Sequence, residues 1–324
     1  MCTAFTFYRD NFYFGRNMDI EYHFGEKVVI TPRNFPINTK KAGCMENHYA
    51  MIGMANVTDN YPLYAEAANE KGLCMAGLNF PSNAKYISQE KATKTMITPY
   101  ELIPFILGKC ENIQQAKSLL PKIDIVDIAF SPSMPVAPLH WIVSDKDESI
   151  VIECTKDGMN IYDNYTGVIT NNPPFPFHLE NLKQYLNLSP KNTSNGFCNS
   201  IELSHFGQGM GAIGLPGDFS PASRFVKTFF CKENSICNND IVSCITQVFH
   251  ILDSVAMISG TVITNEGKPD TTIYSSCIDA TNGDYYYKTY ENNQITKISL
   301  SEDRKAGKNL LTFALNTKAE FKIN

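Results

Sequence analysis

Over the first 80 residues the apolar positions fall in short alternating or clustered runs, "TAFTFY", "FYFGRN", "KVVITP", "AMIGMA" and "GLCMAGLNF". These runs are rich in β-branched and aromatic residues and are divided by turn residues, which predicts strands. Between 98 and 120 the period changes. "TPYELIPFILGKC" and "NIQQAKSLLPK" place apolar residues three and four apart, predicting two helices with Thr98 and Asn112 as caps. Strand-like runs return in "LHWIVSD", "SIVIECT", "MNIYD" and "GVITN", and helical spacing in "HLENLKQYLNL", "ASRFVKTFFCK" and, most clearly, "NDIVSCITQVFHILDSVA". The final block, "TTIYSSCID", "DYYYKTYE" and "QITKISL", alternates again around Asn/Gly turns such as "ATNGD". Strand blocks interleaved with helix blocks predict an α+β fold of sheets covered by helices. No repeat, low-complexity stretch or Gly/Ser linker breaks the chain, so one domain over 1–324 is expected. The Pro-rich loops "FSPSMPVAPLHW" and "NNPPFPFH" are expected to carry binding groups.

Composition narrows the function classes. The 324 residues are 43% hydrophobic, ample for a sizeable core, and the net charge of −5 is scattered, with no basic run to track a phosphate backbone. Nucleic acid is not an expected partner. No stretch approaches the roughly 20 apolar residues that span a bilayer. The start, interrupted by Arg9 and Asp10, lacks a secretory apolar run, so a cytoplasmic location is expected, with no membrane partner. Ten cysteines are spread along the chain without a C-x-x-C pair, which argues against a zinc site, and most sit in apolar runs as small hydrophobes.

Cys2 stands apart, because it directly follows Met1. Aminopeptidase removal of Met1 is expected before so small a residue, and it would leave a free α-amine beside the thiol. An α-amine titrates at about 7.7–8.0, slightly below a typical thiol, so it can take the thiol proton near neutral pH. An arginine nearby would favour the thiolate, and a carboxylate could orient the amine. Arg16 and Asp19 have the right chemistry. If "TAFTFY" and "FYFGRN" pair antiparallel around "RDN", both return to residue 2. Of the histidines, His140 in a strand-like run and His250 on the apolar side of the clearest helix are read as core or supporting residues, and no thiol–imidazole pair is required.

The blocks "YFGRNMDIEY", "YPLYAEAANEKGLCMAGLNFP", "PLHWIVSD", "GVITNNP", "GLPGDFSPASRF" and "YYYKTYENNQI" occur in order along nearly the whole chain. Together with "MC" they resemble the choloylglycine hydrolase family, the bile salt hydrolases and penicillin V acylases within the N-terminal-nucleophile (Ntn) hydrolases. The resemblance implies an αββα sandwich of two antiparallel sheets between helix layers, a homotetramer, and no cofactor or metal. It implies Cys2 as the nucleophile, with Arg16 and Asp19 beside it. Asn79 and Asn171 would hold the oxyanion, and Arg224 would be a second active-site arginine. Asn at position 79 tilts the substrate toward conjugated bile salts, because penicillin V acylases of this group often carry Tyr there. Met18, Phe24, Phe130, Met134 and Leu139 are candidate walls of an apolar groove.

Other readings stay open at this stage. A penicillin V or N-acyl-homoserine-lactone acylase would use the same chemistry. A glutamine amidotransferase also uses Cys2, but typically begins "MCG", whereas this chain has Thr3. A lipid-binding protein without turnover would not need the full set of candidate residues. One departure from the family pattern is Glu66 in "EAANEKG", where Asp is usual. This change is expected to leave the proposed catalytic set untouched and to bear on a loop near the site, and so on substrate preference.

Overall fold

The computed structural model describes residues 1–323. Two antiparallel sheets dominate. The six-stranded sheet contains β1 (Cys2–Tyr8), β2 (Phe12–Ile20), β10 (Val168–Ile169), β11 (Thr271–Asp279), β12 (Asp284–Thr289) and β13 (Thr296–Ser299), in the order β10-β1-β2-β11-β12-β13. The eight-stranded sheet contains β3 (Lys27–Thr31), β4 (Met51–Thr58), β5 (Tyr61–Asn69), β6 (Cys74–Asn79), β7 (Leu139–Ser144), β8 (Ser149–Thr155), β9 (Gly158–Asp163) and β14 (Leu311–Ala314). Its order is β9-β8-β7-β6-β5-β4-β3-β14.

Period-two alternation explains why both faces of these strands are apolar. On the eight-stranded sheet Val28, Ile30, Ile52, Met54, Cys74, Ala76 and Leu78 join the same core cluster as Phe5 and Phe14 of the other sheet. Val29, Met51 and Met75 point the other way, into a second cluster with Leu102, Phe105 and Ile106 of α1 (Leu102–Lys109). The other helices α3 (Phe175–Leu182), α4 (Pro221–Asn234) and α5 (Ile241–Asp253) include residues of the first cluster. Gly15 in β2 lets α5 approach, since a Cβ there would lie 2.9 Å from Val248 Cγ1. The result is the expected αββα layering.

Both predicted caps form. Thr98 makes a reciprocal capping box with Glu101, and Asn112 accepts from the Gln115 amide ahead of α2 (Ile113–Leu119). His250 departs from expectation and is exposed. The buried positions of α5 are Cys244, Ile245, Val248, Phe249, Ile251 and Leu252, and His250 falls on the stripe of Val242 and Thr246 that faces outward. Among the described residues, no helix is long and apolar enough to cross a membrane.

Candidate active site

The hairpin of β1 and β2 sets Cys2 opposite Met18 and Ala4 opposite Arg16, while β11 pairs with the other edge of β2 and sets Thr272 opposite Asp19. Directly opposed residues share a face. Arg16 and Met18 therefore join Cys2 on the side that looks at the eight-stranded sheet, whereas Asn17 and Asp19 look toward the helices. The partners agree with this division. Arg16 reaches across to the Ala65 and Gly77 carbonyls of the other sheet, and Asp19 Oδ2 lies 3.9 Å from Arg224 Nη1 on α4.

Around the thiol, Arg16 Nη2 lies 3.4 Å from Cys2 Sγ and Met18 Sδ 3.7 Å from it. All three side chains are buried. Around the Cys2 nitrogen, the backbone N–H donates to Asn171 Oδ1 at 2.9 Å, and Arg224 Nη2 donates to the same oxygen at 2.8 Å. Arg224 Nη1 also donates to the Cys2 carbonyl at 2.5 Å and to Thr3 Oγ1 at 2.6 Å. Glycine at position 3 could not supply that hydroxyl. Asn171 Nδ2 donates to the Asn79 carbonyl at 2.7 Å, linking the two asparagines. The Asn79 side chain is exposed at the end of β6 and has no protein hydrogen-bond partner among the described residues.

Asp19 is fully buried, and its Oδ1 accepts from Thr272 at 2.5 Å. Burial pushes its carboxyl above the ordinary range, opposed by the charge of Arg224, while burial lowers Arg224 itself. Among the described residues Asp19 Oδ2 is buried without a hydrogen-bond partner. Such an oxygen is costly unless a donor meets it. The chain carries Met1, whose amine donates to the Asp19 carbonyl and to Asp270 Oδ2 at 3.1 Å. With Met1 removed, the Cys2 nitrogen becomes an amine with further N–H groups for these unmet acceptors.

The structure thus brings Cys2, Arg16, Asp19, Asn79, Asn171 and Arg224 into one neighbourhood. Of the candidate walls, Met18 touches the thiol and Leu139 pairs with Asn79 across β7 and β6. Phe24 packs on the core cluster between the sheets, Phe130 packs against Tyr61 and Tyr100, and Met134 closes a short bridge with Ser131. None of these last three contacts involves the thiol.

The sequence reading expected the change at Glu66 to act on a loop near the site and missed its contact with Arg16. Glu66 lies inside β5, not in a loop, is fully buried, and its Oε2 pairs with Arg16 Nη1 at 3.0 Å. A carboxylate on an inward position of an otherwise apolar strand was the available signal, since a buried arginine needs a counter-charge. The support of Asn171 was also only partly visible. His178 donates to the Asn171 carbonyl at 3.0 Å and is kept neutral by burial, and His140 bridges Glu153 and the Thr170 carbonyl at 3.0 Å each. Among the described residues no His/Cys/Asp/Glu cluster could hold a metal ion.

The family described as linear amide C–N hydrolases, choloylglycine hydrolase family, matches residues 2–313. A protein of Lactiplantibacillus plantarum named bile salt hydrolase/transferase is 45% identical over 321 residues, 99% of each chain. The crystal structure of a mutant conjugated bile acid hydrolase from Clostridium perfringens superposes with a TM-score of 0.92 at 38% identity, covering 100% of this chain and 99% of that one. The penicillin V acylase of Agrobacterium tumefaciens shares the fold at 18% identity, with a TM-score of 0.76 over 96% of this chain and 90% of that one. The chain belongs to the choloylglycine hydrolase family of linear amide C–N hydrolases.

Proposed function

We propose that this hydrolase releases glycine or taurine from conjugated bile salts through a thioester on Cys2. The observation that carries the reading is the buried Cys2 thiol 3.4 Å from Arg16, with its nitrogen tied to Asn171 and an unpartnered Asp19 oxygen nearby. After Met1 removal the α-amine takes the thiol proton, and sulfur attacks the amide carbon. The carbonyl oxygen becomes an oxyanion that accepts from the free amide of Asn79 and from the second N–H of Asn171 Nδ2. As the C–N bond breaks, the ammonium returns its proton to the leaving nitrogen. Water then attacks the thioester with the amine again as base, freeing the bile acid and the thiol. An amine arriving in place of water gives acyl transfer by the same steps, in keeping with the hydrolase/transferase name of the L. plantarum relative.

Asp19 gives this mechanism a pH signature. Its anion must accept from the amine, and burial raises its pKa, so that anion is lost at higher pH than for an ordinary carboxyl. Asp19 should therefore contribute an acid limb to kcat/KM above about pH 3.9, beside the one set by protonation of the α-amine. A raised folded pKa stabilises the fold below the unfolded value, and that contribution is lost as pH rises through the folded value. Acid loss of activity through Asp19 should accordingly precede any unfolding seen by circular dichroism, and Asp19→Asn should remove the Asp19 part of the limb, leaving the part set by protonation of the α-amine, while lowering kcat. Coincident loss of activity and structure in acid would contradict the assignment.

Substrate choice is tested by parallel turnover of glycocholate, taurocholate and penicillin V. A kcat/KM for at least one bile salt about tenfold or more above that for penicillin V is expected, a difference of about 1.4 kcal/mol in transition-state binding. A dominant penicillin V rate would reverse the substrate reading. A cytoplasmic homotetramer is part of the same proposal. The exposed Phe197, Ile201, Leu203 and Phe206 offer apolar surface for such association.

A further inference from the structure

We propose that Glu66 is a positioning residue for the reaction, fixing Arg16 against the Cys2 thiol and setting how much of its charge the thiol feels. The inference rests on the reading of Cys2 as nucleophile. Glu66 comes from the eight-stranded sheet and Arg16 from the six-stranded one, so their ion pair crosses the interior between the layers. A lone carboxylate there would cost several kcal/mol. Glu66 meets a full set of donors: Oε2 accepts from Arg16 Nη1 at 3.0 Å and Tyr274 at 2.8 Å, and Oε1 accepts from Tyr285 at 2.5 Å and Ser276 at 3.1 Å. Burial, reinforced by Glu66, pushes both tyrosine hydroxyls well up, so they stay protonated as donors.

The consequence lies in how the guanidinium divides its contacts. Nη1 is bound to the Ala65 carbonyl and Glu66, while Nη2 is bound to the Gly77 carbonyl and faces Cys2 Sγ and Met18 Sδ. Glu66 and the two carbonyls hold the plane of the group, and the edge left over is aimed at sulfur. The three hydroxyls share the carboxylate charge, so Glu66 anchors Arg16 while offsetting only part of its attraction for a thiolate. Other charged or titratable groups around the thiol are Asp19 on β2, Arg224 on α4, Tyr274 on β11 and Asp270 just before it.

The test separates positioning from mere support of the fold. In the mature enzyme, Glu66→Gln removes the charge at nearly constant shape. It is expected to lower kcat at least about tenfold with KM within about threefold, and to move the pH midpoint of Cys2 alkylation by iodoacetamide downward, because Arg16 is no longer offset. Tyr285→Phe leaves the carboxylate less shared and should move that midpoint upward, and it carries the test if Glu66→Gln does not fold. Glu66→Asp, which keeps the charge, should recover most of the turnover. A folded Glu66→Gln with unchanged kcat and midpoint, a Tyr285→Phe midpoint that stays fixed, or a Glu66→Asp as impaired as Glu66→Gln would each overturn the proposal. Cys2→Ser measured alongside distinguishes the two levels. If it keeps turnover, the nucleophile reading fails; if it is inactive while the Glu66 variants behave as wild type, only the present inference fails.

Discussion

Cys2→Ser is expected to lose about a thousandfold or more in kcat, with little change in thermal stability. The exchange replaces one atom, and the surroundings of position 2 keep their partners, Arg16 and Met18 on one side and Asn171 and Arg224 on the other. What changes is proton transfer. An α-amine near 8 lies within about a unit of a thiol and can deprotonate it, whereas an alcohol is far weaker as an acid and holds its proton against that base. Release of glycine or taurine from the conjugate, followed over hours, measures the residual rate. Turnover within tenfold of wild type would place the nucleophile elsewhere.

Asn79→Ala is expected to lower kcat by about a hundredfold or more while changing KM little, because a donor that meets only the developing oxyanion acts on the transition state. The geometry is specific on this point. Asn171 already spends its Oδ1 on Cys2 and Arg224 and one Nδ2 hydrogen on the Asn79 carbonyl, whereas the Asn79 amide is uncommitted. The backbone carbonyl survives the substitution, so Asn171 keeps its anchor. Steady-state kinetics on one conjugated bile salt would show the split, and an effect confined to KM would assign Asn79 to ground-state binding.

Much of this site could be read along the chain, for physical reasons. The alternation in "TAFTFY" and "FYFGRN" with a tight turn between them is sufficient to return Arg16 and Asp19 to Cys2, because hairpin register follows from the turn. The caps at Thr98 and Asn112 depend on local hydrogen bonds and are equally visible. Contacts between layers are another matter. Glu66 meets Arg16 across the interface of the two sheets, 50 positions apart, and no local pattern encodes that approach. Arg224 reaches Thr3 from a separate helix, 221 positions away. His250 shows the opposite error: read on the apolar face of its helix, it lies on the side away from the buried stripe.

The central claim is that the protein acts through an acyl-thioester on a Cys2 whose amine is free. Rapid quench of the enzyme with a conjugated bile salt, followed by peptide mass mapping, tests it most directly. The account predicts an N-terminal peptide that starts at Cys2 and carries the mass of the bile acyl group. A fully active enzyme that retains Met1, or an acyl group found on any other residue, would contradict it.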